Sequence, residues 1–317
     1  MLVFLQLLIP LGLLFWQGRS STKNKLGWLI ETLAVGGYLV TLAIAGLWLA
    51  LPWWLAYIYL ILWIGQALVR LPQILPQPRW PGRALRDWLR IGLWGLLMGV
   101  FWSLAFHGLL GYLPPAIAPV KLTFPLRNGT YLIANGGSNS LINFHLETLA
   151  PKKRAYRGQS YGVDIVKLNP LKTHGSGWLP KDLEKYAIFG DPIYAPCQGK
   201  VLAIANDRPD LEPPQVDLEH RAGNFVLLQC KDAVVLLAHL QRGSVQVVVD
   251  ELVVSTNQLL GIVGNSGATG EPHLHIHAQH PGSKVTPFDG DPLPIFFGGQ
   301  YLVRNSRITL TSARVVR

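Results

Sequence analysis

Charged residues are scarce in this chain. Only 15% of its 317 residues are Asp, Glu, Lys or Arg, whereas soluble proteins usually contain about 25%. The shortage is concentrated in residues 1–117, which hold 8 of the 28 Lys and Arg residues and 2 of the 18 Asp and Glu residues. Ten of the 11 Trp residues also lie there. An ordinary cytosolic enzyme is therefore disfavoured, and the two parts of the chain need separate explanations.

Cysteine and clustered basic residues are also rare. The only two cysteines, Cys197 and Cys230, form no Cys-x-x-Cys pair, which excludes a cysteine-based zinc site. No basic run occurs after residue 117, so no nucleic-acid partner is expected despite the net charge of +10. Whether the two cysteines form a disulfide stays open, because the sequence does not show that their strands are adjacent.

Long apolar runs dominate the first part of the chain. Four apolar segments lie at about residues 2–16, 26–49, 52–69 and 91–112. A membrane-spanning helix needs roughly 17–25 mostly apolar residues, so the last three qualify and the first is short. The first has no positive residue before it, which disfavours a cleaved signal peptide. We therefore predict a four-helix transmembrane region over residues 1–113, with the lipid bilayer as its partner.

The basic loops predict an orientation. Lys and Arg occur between the first and second segments and again between the third and fourth, whereas the turn near Ala50 carries no charge. Because Lys and Arg concentrate on the cytoplasmic side of membranes, both basic loops are expected inside the cell. A multi-pass cell-membrane protein follows, with its N-terminus and its C-terminal domain extracytoplasmic, on the periplasmic or cell-wall side.

A different pattern begins after a proline-rich linker at residues 114–123. Short β-branched runs, such as residues 224–229, 234–238 and 245–249, alternate with Gly, Pro, Asn and Asp. This alternation is typical of antiparallel all-β domains, so residues 124–317 are predicted to form an antiparallel, β-sandwich-like domain. Only residues 181–186 favour a helix.

Histidines are concentrated near the end of this domain. His273, His275 and His277 follow a glycine-rich turn at alternate positions, which places them on one strand face about 7 Å apart. His239 ends an apolar run, and Asp164 lies inside another one. A buried, unpaired carboxylate is energetically costly. The set therefore indicates a metal or acid–base site.

Four motifs in this order resemble the lysostaphin/LytM-type metallopeptidases, which cut peptides in bacterial cell walls. The resemblance covers roughly residues 156–279 and is carried by Asp164 and by residues 190–201, 238–240 and 264–275. It implies one Zn²⁺ per domain, peptidoglycan peptides as substrates, and a LytM-type fold. By the same resemblance, Asp164 and His275 are zinc ligands, and His239 and His273 are catalytic residues that polarise water and stabilise the oxyanion.

One position departs from the pattern of that family. The family's first ligand lies four residues before the aspartate, where this chain has Ser160, and a serine hydroxyl is not a usual zinc ligand. His145 is the candidate for the missing ligand, because it alternates with Asn143 on an expected strand face shortly upstream; His277 is the other candidate. Residues expected beside the ligands or the substrate are Asn143, Gln159, Ser160 and His277.

Two functions remain open at this point. The first is a membrane-anchored zinc metalloendopeptidase that hydrolyses cell-wall peptides. The alternative is a non-catalytic domain of the same fold that acts as a cell-wall-binding or regulatory module, which Ser160 would explain. Retention of Asp164, His239, His273 and His275 together favours the enzyme.

Overall fold

A computed structural model describes residues 4–282, 285–311 and 314–316. Residues 2 and 3 of the first apolar segment lie outside this range. The chain divides into two compact units, a helical one formed by Met1–Leu47 with Leu51–Leu110 and a β-rich one formed by Trp48–Ala50 with Gly111–Arg317.

The helical unit follows the apolar segments of the sequence. A π-helical turn (Phe4–Leu8) precedes four helices: α1 (Ile9–Arg19), α2 (Lys25–Ala45), α3 (Leu55–Ile74) and α4 (Leu85–Leu110). Among the described residues, α2, α3 and α4 are long and apolar enough to cross a membrane, with mean hydropathies of 1.7, 1.5 and 1.6. The first predicted span is not among these three, because α1 has 11 residues, and the number of spans stays a prediction.

One acidic side chain is buried within the helical unit. Glu31 of α2 is 3% exposed, and its Oε1 lies 2.6 Å from Nε of Arg90 in α4. Its Oε2 accepts hydrogen bonds from the hydroxyl groups of Ser20 and Thr22, at 3.0 and 2.7 Å. Both carboxylate oxygens therefore have partners supplied by the chain, as a buried charge requires.

The β-rich unit is built around one large antiparallel sheet. Within the described residues its strands run in the order β15-β14-β2-β3-β10-β7-β6-β5-β8, and β11 also pairs with β10. A smaller sheet, β1-β12-β13, contains a parallel pair, and β4 pairs with β9. The strands are β1 (Val120–Leu122), β2 (Gly129–Asn135), β3 (Val163–Leu168), β4 (Pro192–Tyr194), β5 (Gly199–Ala205), β6 (Asn224–Cys230), β7 (Ala233–Leu240), β8 (Leu252–Val253), β9 (Leu259–Ile262), β10 (Leu274–Gln279), β11 (Pro292–Leu293), β12 (Ile295–Phe297), β13 (Gln300–Tyr301), β14 (Arg307–Thr311) and β15 (Arg314–Val316).

Alternation along the central strands separates the core from the polar face of the sheet. Leu274, Ile276 and Ala278 of β10 belong to the main hydrophobic core. Because side chains alternate across a strand, His275 and His277 face the other side. The register then places Asp164 of β3 directly opposite His275. The large sheet thus supplies a rigid base for this group of polar residues.

Two local predictions differ from the structure. Residues 245–249 form no strand, because the backbone N–H of Val245 bonds to the Asn206 side chain and that of Gln246 bonds to Leu260 outside any ladder. The helix expected over residues 181–186 is only a 3₁₀ turn at Leu183–Lys185. The cysteine question has a definite answer, since Cys197 and Cys230 form a disulfide.

Candidate metal centre

Three potential metal ligands lie together on the polar face of the large sheet. His145, Asp164 and His275 each offer one ligand atom, and these atoms all lie within 4.8 Å of one another. Nε2 of His145 is 2.9 Å from Oδ2 of Asp164, and Nδ1 of His275 is 2.8 Å from Oδ1. Asp164 and His275 are buried, whereas the His145 side chain is 18% exposed. The group therefore opens toward solvent on the side of His145.

His145 reaches this group from a helical turn and not from the predicted strand. It lies in a 3₁₀ helix, Phe144–Leu149, whose first turn is capped by the Asn143 side chain, which accepts a hydrogen bond from the backbone N–H of His145 at 3.1 Å. The buried Asn143 amide also donates to the carbonyl of Gly162 at 3.2 Å. Asn143 thus connects the segment that carries His145 to the segment that leads into β3.

Ser160 supports the same turn. Its side chain is fully buried and donates to the carbonyl of Arg157 at 2.6 Å. Its Oγ also lies 2.8 Å from Oγ1 of Thr148, which donates to the carbonyl of His145 at 2.6 Å. The residue at the position of the missing histidine therefore holds the backbone next to His145. The backbone carbonyl of Gln159 accepts from the N–H of Gly162 at 2.7 Å and closes the following turn.

Gly162 is required by the close approach of the two histidine rings. A Cβ atom at this position would lie 2.8 Å from Cε1 of His275 and 3.4 Å from Cδ2 of His145. It would also lie 2.8 Å from the carbonyl oxygen of Gln159. The two separations of 2.8 Å are shorter than ordinary contacts, so a larger residue would displace the His275 ring or the backbone at Gln159.

Two residues that sequence reasoning missed hold Asp164 from behind. Asn135 of β2 donates from Nδ2 to Oδ2 of Asp164 at 2.8 Å, and Arg304 donates to Oδ1 of Asn135 at 2.7 Å. Arg304 is 2% exposed, also donates to the carbonyl of Leu141 at 3.2 Å, and lies 4.4 Å over the ring of Phe144. Arg304 thereby connects Asn135, which holds Asp164, with the segment at Leu141 that leads to His145. No motif marks either residue, and their partners are distant in sequence.

His239 adopts a strained backbone conformation at the end of β7. Its φ is +67°, in the left-handed region that is uncommon for residues other than glycine and that clusters at functional sites. Its N–H bonds to Ala222 and its carbonyl accepts from Gly264, which hold the conformation. Nδ1 lies 2.8 Å from the carbonyl of Ser266. Since a carbonyl only accepts, Nδ1 carries the proton and Nε2 retains a lone pair.

His273 has the same arrangement. Its Nδ1 lies 2.9 Å from the carbonyl of Glu271, so the proton again resides on Nδ1. Its Nε2 lies 3.6 Å from Oδ1 of Asp164, and its ring centroid is 4.8 Å from that of His239. Two imidazoles with basic Nε2 atoms thus lie side by side next to the candidate ligands.

Burial controls the protonation of this centre. It lowers the pKa of His275 to about 4. Burial, together with His273 and His275, holds the pKa of His239 well below its usual range. Burial opposes ionisation of Asp164, but His145 and His273 and the histidine hydrogen bonds outweigh it, so its pKa is well below the ordinary value. An ionised carboxylate and neutral imidazoles are the forms that bind metals.

His277 lies behind His275. Its Nδ1 is 2.9 Å from Nε2 of His275, and it is not one of the three ligands grouped around Asp164.

Comparison with known families agrees with this geometry. Residues 183–287 match the model of the family described as Peptidase family M23, and members of this family cleave cell-wall peptidoglycan. The match contains His239, His273 and His275. It begins after His145 and Asp164. This part of the chain, about a third of its length, is thus similar to the M23 peptidases.

Solved structures of other proteins also match parts of the chain. A structure of LytU is 22% identical over 39% of this chain and 63% of its own, with a TM-score of 0.25. The solution structure of lysostaphin is 20% identical over 48% of this chain and 52% of its own, with a TM-score of 0.27. A putative M23 peptidase from Pseudomonas aeruginosa is 17% identical over 56% of this chain and 53% of its own, with a TM-score of 0.27. The chain thus spans less than two thirds of each of these structures, and no curated protein matches it.

Proposed function

We propose that this protein is a membrane-anchored zinc metalloendopeptidase that hydrolyses peptide bonds in bacterial peptidoglycan. The observation that carries the proposal is the placement of His145, Asp164 and His275 beside His239 and His273 in a chain that is similar in part to the M23 peptidases. The first three residues would bind the metal, and the last two would act on water and substrate.

The residues at the centre suit zinc. Catalytic zinc sites commonly combine three protein ligands drawn from histidine and carboxylate and keep one position open. His145, Asp164 and His275 supply such a set, and the exposed side of His145 leaves access for a substrate. His145 thereby takes the place of the histidine that Ser160 replaces. A zinc ion bound there would polarise the scissile carbonyl and lower the pKa of a water molecule.

The two remaining histidines can move the protons of a hydrolysis. With their protons held on Nδ1, His239 and His273 each present the Nε2 lone pair. Either Nε2 can accept a proton from the attacking water and return it to the leaving amine. The imidazolium present between these steps would stabilise the negative charge that develops on the carbonyl oxygen.

The helical unit would anchor this domain in the cell membrane. Large apolar side chains of α3 and α4 are exposed, including Ile61, Val69, Leu96 and Phe106, as expected for lipid contact. The loop between α3 and α4 is basic, so α4 would run from the cytoplasm outward whether or not α1 crosses. The disulfide between Cys197 and Cys230 also favours an oxidising, extracytoplasmic location for the C-terminal domain.

The central experiment measures zinc and cleavage on the full-length protein in detergent. Purified protein is expected to hold one zinc ion and to release new amino termini from peptidoglycan. His275→Ala should lose both properties, whereas His280→Ala, an exposed histidine outside the centre, should keep them. Wild-type protein that binds no zinc and leaves peptidoglycan intact would contradict the proposal and favour a non-catalytic cell-wall-binding or regulatory module.

The role of His145 is tested separately. His145→Ala should lose stoichiometric zinc, whereas His145→Cys should retain part of the affinity because a thiolate is also a zinc ligand. Unchanged zinc content in the alanine variant would exclude His145 as a ligand.

Orientation is tested in intact cells. A protease added outside the cytoplasmic membrane should degrade a tag at the C-terminus, and a tag inserted in the loop between α3 and α4 should survive. The reverse pattern would exclude an extracytoplasmic active site.

A further inference from the structure

A buried line of hydrogen bonds continues from the metal centre into the protein. Nε2 of His275 lies 2.9 Å from Nδ1 of His277, and Nε2 of His277 lies 2.9 Å from the carbonyl oxygen of Pro287. His277 is fully buried, and its ring stacks on Phe288 with a centroid separation of 5.7 Å. Water therefore does not compete for either nitrogen, and both have protein partners.

The carbonyl at the inner end sets the direction of every bond in this line. The oxygen of Pro287 can only accept, so Nε2 of His277 must carry a proton. In the neutral ring, Nδ1 of His277 is then an acceptor, and it must receive its hydrogen bond from Nε2–H of His275. A neutral His275 with its proton on Nε2 has a lone pair on Nδ1.

The other ring nitrogen of His275 is directed at the carboxylate. Nδ1 of His275 lies 2.8 Å from Oδ1 of Asp164, and Nε2 of His145 lies 2.9 Å from Oδ2 of the same residue. Of the two nitrogens of His275, Nδ1 is therefore the one that lies beside the other candidate ligands.

We infer that His277 is a positioning residue that fixes the tautomer of His275 and so keeps Nδ1 of His275 available to a metal. The inference rests on the metal site proposed above and assigns the reason why that site is ready before the metal binds. Metal-ligating histidines commonly donate their other N–H to a polar partner, and loss of such a partner typically lowers metal affinity by 10- to 100-fold. In this chain the partner is a second imidazole two residues along the same strand.

A matched pair of variants isolates the acceptor. His277→Leu removes both hydrogen bonds, whereas His277→Asn can place its side-chain oxygen near the former Nδ1 position and loses the bond to Pro287. Zinc affinity of the full-length protein, measured by competition with a chelator, should fall 10- to 100-fold for the leucine variant. It should fall by less than tenfold for the asparagine variant. Equal affinities of the two variants, or an unchanged affinity with leucine, would overturn the inference.

A second measurement works on wild-type protein and does not depend on how the variants fold. Nitrogen spectra of zinc-free protein labelled with ¹⁵N-histidine should show both His277 and His275 protonated on Nε2. A proton on Nδ1 of His277 would overturn the inference. If the spectra agree and the protein binds no zinc, the proposed metalloenzyme fails while the tautomer assignment holds, so the two failures are distinguishable.

Discussion

The two units of the protein each bury one carboxylate, and they compensate its charge in different ways. In the helical unit, Glu31 meets the guanidinium of Arg90, a cation at every physiological pH, and two hydroxyl donors. In the β-rich unit, Asp164 meets three imidazoles and the amide of Asn135. An imidazole carries positive charge only when it is protonated, and burial disfavours that form at His275.

This difference separates a structural charge pair from a binding site. The carboxylate of Glu31 has a permanent counterion within the chain and needs no other group. The carboxylate of Asp164 contacts imidazoles and an amide directly, and the permanent cation Arg304 reaches it only through Asn135, an arrangement that suits the metal ion proposed above. The following changes are chosen to break or sharpen this contrast, beginning with the largest effect.

Removal of the charge of Asp164 should abolish metal binding. Asp164→Asn keeps the shape of the side chain and removes a ligand. Loss of a residue that only hydrogen-bonds to a metal ligand lowers affinity by 10- to 100-fold, so loss of the ligand itself should lower zinc affinity by roughly 1,000-fold or more. Chelator competition on full-length protein measures this, with His280→Ala as the control. Retention of tight zinc binding by the asparagine variant would show that Asp164 is not a ligand.

Acid should destabilise the metal-free β-rich unit. An unfolded histidine has a pKa of about 6.5, whereas that of folded His275 is about 4, so the unfolded chain binds a proton first. The free energy of unfolding should therefore have its full value above pH 6.5. Protonation of His275 alone should lower it by roughly 3 kcal/mol as the pH decreases to 4. Chemical unfolding of EDTA-treated protein, followed by β-sheet circular dichroism, measures this. Constant stability across this pH range would show that the histidines are not held neutral.

Removal of the counterion in the helical unit should destabilise that unit. Arg90→Met leaves Glu31 buried without a charge partner, which costs 3–5 kcal/mol for fully buried pairs. Since the Arg90 side chain is 37% exposed, we expect roughly 2–3 kcal/mol, measured by unfolding in detergent and followed by tryptophan fluorescence. The double variant Glu31→Leu/Arg90→Met should recover most of the loss. Equal stability of wild type and the single variant would remove the contrast between the two carboxylates.

The smallest effect is expected at the one neutral donor to Asp164. Asn135→Ala removes a hydrogen bond of 2.8 Å to Oδ2 and leaves all three candidate ligands in place. Zinc affinity should decrease by roughly tenfold, with little change in the number of ions bound. Complete loss of zinc would instead show that Asn135 or the Arg304 behind it determines the local fold.

Local patterns in the sequence predicted which residues lie together at the site better than they predicted the local backbone structure. His273 and His275, the buried Asp164 and the apolar strand ending in His239 follow from short-range alternation, and the structure places all four together. Their roles stay predictions. The sequence pattern predicts His145 on a strand, in alternation with Asn143. It lies instead on a 3₁₀ turn, because the Asn143 side chain caps the backbone there.

Contacts between distant residues were beyond such reasoning. Arg304 reaches Asn135 across 169 positions, and Asn135 reaches Asp164 across 29. Neither residue carries a pattern, because their placement depends on how β2 and β14 pair in the sheet. In the helical unit, hydropathy predicted the positions of α2, α3 and α4, and the first apolar segment, predicted at about residues 2–16, is helical as far as Arg19.

The buried Arg304 also bears on where an autonomous catalytic fragment could begin and end. A fragment limited to the family match at residues 183–287 would contain His239, His273 and His275 but neither Asp164 nor His145. It would also lack β2, which presents Asn135, and the segment that carries Arg304. A piece that holds the complete centre must therefore include β2 to β14, and β1 as well, because Leu122 and Leu126 belong to the main hydrophobic core and β1 pairs with β12.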